Sequence, residues 1–168
     1  MEEATGTSSR RGLLGRAAVL AAGAVGVQAG GAAAAASPTT LRLYAGGVHL
    51  HSPSHRPGRV PAKGERFTTY GELLDAPGGR SIGSFAAAFF ALDSPFAAGP
   101  GSQELHTFSL ADGTILGLGT ATAGTASEFA IIGGTGRYSG VRGSYVAHQQ
   151  PRELGGNGTA EFHLTLVA

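Results

Sequence analysis

Phe129-Ala-Ile-Ile-Gly-Gly-Thr-Gly-Arg-Tyr-Ser-Gly-Val-Arg-Gly-Ser-Tyr145 decides how this chain folds. The apolar run Phe129 to Ile132, followed by Gly134-Thr135-Gly136, imitates the strand and glycine-rich turn of a dinucleotide site. Such a site needs a helix directly after the turn, because the helix N-terminus holds the pyrophosphate. Here the chain continues Tyr138-Ser-Gly-Val-Arg-Gly-Ser-Tyr-Val, with Gly140 and Gly143 set among aromatic and β-branched residues. Each glycine costs a helix interior about 1 kcal/mol relative to alanine, whereas the residues between favour strands. The stretch is strand, glycine-rich turn, strand.

Outward from it the same grammar repeats. Strand-like segments run from Leu41 to His51, Arg66 to Asp75, Ser81 to Asp93 and Gln103 to Leu110. Thr114 to Ala123, Glu128 to Ile132, Tyr138 to Gln149 and Gly158 to Val167 complete the series. Turn signals separate them, among them Ala76-Pro77-Gly78-Gly79, Asp112-Gly113 and Gly155-Gly156-Asn157-Gly158. Asp112-Gly113 between two β-like runs is a two-residue hairpin signal. Ser81 to Asp93 is small on both faces near its middle, and Gly117 and Gly119 interrupt the fifth strand, as bends or bulges do where a sheet curls. Closure removes exposed sheet edges. The expectation is an all-β fold, an eight-stranded antiparallel up-and-down β-barrel, whose interior holds one small ligand.

The N-terminus points to export. Arg10-Arg11 follows Ser9 and precedes an uncharged run from Ala17 to Ala36 rich in Ala, Gly and Val. A basic region, an apolar region and an exit through Ala34-Ala35-Ala36 make a signal peptide of the twin-arginine type over 1–36, cleaved before Ser37. Its glycines make it a weak membrane anchor, so no stable membrane span is expected after cleavage. The full chain has 12 basic and 11 acidic residues. Arg10, Arg11, Arg16, Glu2 and Glu3 leave with the signal, so 9 minus 9 gives zero net charge over 37–168. A neutral domain lacks the basic footprint of a nucleic-acid binder. With no cysteine, disulfides, thiolate metal sites and cysteine nucleophiles are excluded.

Phe129-Ala-Ile-Ile-Gly-Gly-Thr-Gly-Arg-Tyr-Ser-Gly-Val-Arg-Gly143 is similar to the F-A-V-V-G-G-T-G-x-F-x-x-A-R-G segment of plant dirigent proteins. Gly64-Glu-Arg-Phe-Thr-Thr-Tyr-Gly-Glu-Leu-Leu-Asp75, followed by Ile82-Gly83, resembles the G-D-L-V-P-F-T-N-x-L-Y-D…L-G stretch of plant allene oxide cyclases. The resemblance implies their shared eight-stranded barrel, frequently a homotrimer, with an apolar lumen open at one end. It implies less about chemistry. Tyr44-Ala45-Gly46-Gly47-Val48 lacks the Glu and Asn of the cyclases' Y-E-I-N-E run, and Gly71 stands where F-T-N has its asparagine, so cyclisation of allene oxide itself is not expected. No acidic residue lies between Thr40 and Gly64 to match the first-strand acid of dirigent proteins. Arg142 alone falls on a dirigent motif residue.

Arg142, Ser144, Val146 and His148 share one strand face. The period leaves that face open between lumen and solvent; the resemblance favours the lumen, where Arg142 and His148 would polarise a carbonyl or move a proton. Glu104, His106 and Phe108 share a face of the fourth strand, and a carboxylate beside an imidazole is raw material for acid–base catalysis. Glu161, His163 and Thr165 do the same on the eighth, where Phe162, Leu164 and Leu166 make the better apolar face and leave the polar one to solvent. The catalytic candidates are therefore Arg142, His106, Glu104 and His148, and the ligand-contact candidates Tyr44, Tyr70, Phe108 and Tyr145. His49-x-His51 with His55 reads as a strand end entering a proline-rich loop, not a metal site, and no cofactor is expected. The expected activity is that of an isomerase, a cyclase or a dirigent-type coupling protein acting on a small apolar or aromatic molecule. A non-catalytic carrier and a sealed structural barrel of the cell envelope are the alternatives.

Overall fold

The structure, a computed structural model, describes residues 37–52, 62–92, 101–122, 126–150 and 158–168. The export-signal expectation over 1–36 and His55 lie outside the described residues. Eight strands follow in order: β1 (Thr39–His51), β2 (Arg66–Leu74), β3 (Ser81–Leu92), β4 (Gly101–Leu110), β5 (Gly113–Thr122), β6 (Ser127–Gly134), β7 (Arg142–Gln150) and β8 (Gly158–Val167). Each pairs antiparallel with its sequence neighbour, and β8 closes on β1 from Thr39↔Leu166 to Val48↔Gly158. The result is the closed up-and-down barrel the sequence calls for.

Two departures have physical reasons. The seventh strand starts at Arg142 and not at Tyr138, because Gly136–Tyr138 forms a single 3-10 turn. That turn is too short to present a helix dipole, so the phosphate-loop possibility is gone. The glycines around it serve close packing instead. A Cβ on Gly136 would collide with the carbonyl oxygen of Asp112, and one on Gly113 with that of Thr135. The β4–β5 and β6–β7 turns thus interlock backbone to backbone, tied by Thr135 N–H to Thr114 O and Arg137 N–H to Asp112 O, both 2.9 Å.

Gly117 and Gly119 are the second. The β5–β6 register does shift between Leu116 and Gly117, as curling predicts. Yet both glycines face inward, where a Cβ at Gly117 would overlap the Tyr145 ring and one at Gly119 would lie 2.7 Å from Phe129 Cδ1. Two aromatic rings occupy the space that side chains on β5 would otherwise fill.

Alternation sorts every strand. At the end holding the described hairpins, the inward residues Leu43, Leu73, Phe85, Phe108, Ile115, Ile131, Leu164 and Leu166 are buried, with Val141 closing over them. Each large apolar side chain so buried contributes about 1.5–3 kcal/mol. Higher up, Tyr145, Phe129 and Phe162 fill the centre. An eight-stranded barrel is just wide enough for its own side chains to fill, and this one does so through its lower and middle layers. Polar side chains enter the lumen toward the upper end, where β1, β3, β5 and β7 finish.

Candidate functional site

Strand β4 points Ser102, Glu104, His106 and Phe108 inward in succession. His106 is 0% exposed and Glu104 7%. The His106 ring lies among Phe129 at 4.6 Å, Phe85 at 5.3 Å and Tyr145 at 5.9 Å between centroids. A polar ring so enclosed must satisfy both nitrogens internally. It does: Nε2 meets Glu104 Oε2 at 2.7 Å, and Nδ1 meets the Tyr145 hydroxyl at 2.8 Å. Hydrogen-bond chemistry fixes the tautomer, since an ionised carboxylate can only accept. Nε2 carries the proton and donates to Glu104, leaving Nδ1 to accept from Tyr145.

Glu104 gathers more donors. Ser102 Oγ donates to Oε1 at 2.5 Å, and Gln149 Nε2, reaching across from β7, donates to Oε2 at 2.9 Å. Burial alone pushes this carboxyl up. The hydrogen bonds from His106 first, then from Ser102 and Gln149, outweigh that and hold it below the ordinary carboxylate range. The phenol of Tyr145 is pushed up, first by burial and then by the negative charge of Glu104, so it stays a neutral donor. The assembly is a buried phenol–imidazole–carboxylate chain whose charged end faces the upper rim.

Part of the wall at that end is apolar and flat, and the buried hydroxyls of Ser52 and Ser127 lie at the same end. Phe67 and Phe89 stack at 5.1 Å with 10° between their planes. The half-buried inward residues Leu50, Ala91 and Ala121 continue the same rim. A carboxylate above an aromatic wall can accept a proton or hydrogen bond from a ligand hydroxyl, or stabilise positive charge that develops on the ligand.

The structure thus brings Glu104, His106 and Tyr145 into one chain and leaves the other five sequence candidates outside it. Arg142 and His148 stand on the outer, exposed face of β7, because Tyr145 and Ala147 take the inward positions. The Arg142 guanidinium donates to the carbonyl of Val141 at 2.9 Å. Tyr44 lies on the outer wall of β1, and Tyr70 does so on β2, 55% exposed beside the His49 ring. Phe108 is inside but fully buried against Phe85, Tyr145 and Phe162, which makes it a core residue closed to a ligand. Glu161, His163 and Thr165 face outward, as their apolar neighbours require. His49 and His51 are exposed on the outer wall, and no cluster of three metal-ligating side chains forms among the described residues.

Ser102 and Gln149 were missed. Gln149 shares its face with Tyr145 and Ala147, so the signal was present once that face is taken as inward. Ser102 precedes the expected start of its strand by one residue.

No family model matches the chain, and no curated protein matches it either. Solved structures do. The pterocarpan synthase dirigent protein PsPTS1 superposes with a TM-score of 0.63 at 20% identity, covering 79% of this chain and 96% of that one. Pyocyanin demethylase follows with a TM-score of 0.58 at 22% identity, covering 76% and 99%. The Diels Alderase AbmU from Streptomyces koyangensis gives 0.57 at 18% identity, covering 77% and 63%.

Proposed function

We propose, from the premise that this chain is a barrel of the dirigent and allene oxide cyclase-like fold, that it binds a small apolar or aromatic molecule at the upper end of its lumen. There it promotes a cyclisation, an isomerisation or a stereoselective coupling. Proteins of the same fold include a dirigent protein named as a pterocarpan synthase and a Diels Alderase. The observation that carries the proposal is the Glu104–His106–Tyr145 chain, a charge and two polar rings placed inside a dry core at the cost of apolar packing.

The mechanism follows from the geometry. The flat wall of Phe67 and Phe89 holds the ligand body and restricts its conformers, which lowers the entropic part of the barrier. Glu104 meets a hydroxyl or a developing cation on the ligand. When it takes up part of a proton, the His106 Nε2–H donor and the Gln149 amide readjust without solvent, so little reorganisation is needed. The proposal extends to export of the folded domain by the twin-arginine route and to a homotrimeric assembly. The outer wall supports assembly: Ala88, Leu105, Leu118 and Ala130 lie in direct register across β3 to β6, with Phe90 and Ile132 exposed beside them.

A sealed-barrel function draws support from one observation, the filling of the lower and middle lumen by Phe108, Phe129, Tyr145 and Phe162. Titration of the protein with a fluorescent single-ring or two-ring phenol separates the two. The proposal expects binding that Glu104→Gln and Phe89→Ala each weaken about tenfold, the loss of one charge-assisted hydrogen bond or one aromatic contact. Undiminished binding in both variants would remove the site from the upper lumen.

A further inference from the structure

The outer wall holds a second cluster of titratable groups. Register places Leu74, Tyr44, Glu161 and His148 side by side across β2, β1, β8 and β7. Beside this row β1 carries Gly46, which has no side chain, and then Gly47 at φ 59°, where the register with both neighbours shifts. The wall is recessed there. The recess is a groove of about 360 Å³, lined by Tyr44, Gly46, Leu74, Pro77, His148 and Glu161 among others. That volume is at the lower end of small-molecule sites and suits a ligand of one ring.

Glu161 is the only carboxylate among the described side chains lining the groove, and no Lys or Arg is among them. Its carboxylate is oriented from behind: His163 Nε2 lies 2.6 Å from Oε1, and the Tyr44 hydroxyl also hydrogen-bonds it. Those bonds, the one from His163 first, hold the carboxyl below its ordinary range, with Arg42 adding its charge from the adjacent row. A carboxylate accepts about four hydrogen bonds, so two donors leave acceptor capacity toward the groove. Leu74 and Pro77 supply apolar wall, and the Tyr44 ring offers a face to a cation.

We propose that this groove is a second binding site, separate from the lumen, that takes a small organic ammonium ion with a single-ring body. The ammonium group donates to Glu161 and the ring rests on Leu74 and Pro77. None of the lumen groups takes part, so the site stands or falls independently of the function proposed above.

The test is a titration of the ¹⁵N-labelled protein with phenethylammonium and, in parallel, with the neutral phenethyl alcohol, following amide chemical shifts. The ammonium probe is expected to shift Gly46, Gly78 and Thr159, to bind about tenfold more weakly to Glu161→Gln, and to bind Glu104→Gln as it binds the native chain. The alcohol is expected to show no difference between the native chain and Glu161→Gln. Gly46→Val, whose side chain enters the groove, is expected to abolish the shifts. Equal affinity for both probes, an unchanged affinity in Glu161→Gln, or shifts confined to lumen residues such as Tyr145 would each overturn the assignment.

Discussion

Adding a single methyl group at Gly117 tests whether the Tyr145 ring crosses the lumen over β5. In Gly117→Ala the new Cβ overlaps the hydroxyl and ring edge of Tyr145. The ring cannot retreat freely, because Phe129 stacks on it at 5.1 Å and 10°, and its hydroxyl is bonded to His106 at 2.8 Å. Overpacking of this kind costs about 1–3 kcal/mol, and loss of the buried hydrogen bond adds about 1–3 kcal/mol. A destabilisation of about 3 kcal/mol is expected, which for a domain of this size lowers Tm by roughly 10 °C. The same substitution made on a Tyr145→Leu background meets no ring and should cost under about 1 kcal/mol. Urea unfolding of the four chains measures the coupling, expected at about 2 kcal/mol or more. Additivity within about 0.5 kcal/mol would refute the placement of Tyr145 against Gly117.

Glu104 should make stability acid-sensitive. Its folded pKa is depressed below 4.5, so its contribution is present above the unfolded value and is lost as pH falls through the folded one. Glu104→Gln should therefore unfold with a shallower pH dependence than the native chain below 4.5, measured by thermal melts across that range; parallel curves would contradict it. Gly113→Ala and Gly136→Ala should each cost more than about 2 kcal/mol, since a Cβ at either position meets backbone that has no room to shift. Near-native melting of either variant would show that the two turns do not interlock. Arg142→Ala and Tyr70→Ala should change stability by no more than about 0.5 kcal/mol and leave phenol binding intact. A large loss of binding in Arg142→Ala would return the outer face of β7 to the lumen account.

The fold was legible in the chain because each strand is short, apolar on at least one face and bounded by glycine or proline. Gly158 to Val167 even begins and ends where the structure has it. The site was legible only in part. Period two groups Arg142 with His148 and Tyr145 with Ala147, but a period does not say which group faces in. The resemblance points both Arg142 and Tyr145 at the lumen, although three positions apart they cannot share a face. Burial resolves it in favour of the set without charge: Tyr145 pairs with Phe129, itself inward. In the sequence Gly117 and Gly119 signal only curvature, because the rings that need their space come from β6 and β7, a long-range fact no local pattern carries. The inward direction of Glu104 and His106 is readable in the sequence because Phe108 and Leu110 continue their face.

The most direct test of the lumen site is nitrogen-detected NMR of His106 together with amide mapping of a bound phenol. The account predicts that Nε2 of the ring carries a proton bonded to Glu104, with slow exchange of that proton, and ligand-induced shifts gathered at Ser102, Glu104, Phe89 and Gln149. A ring protonated at Nδ1, or shifts that spare all four residues while phenol binds, would contradict it.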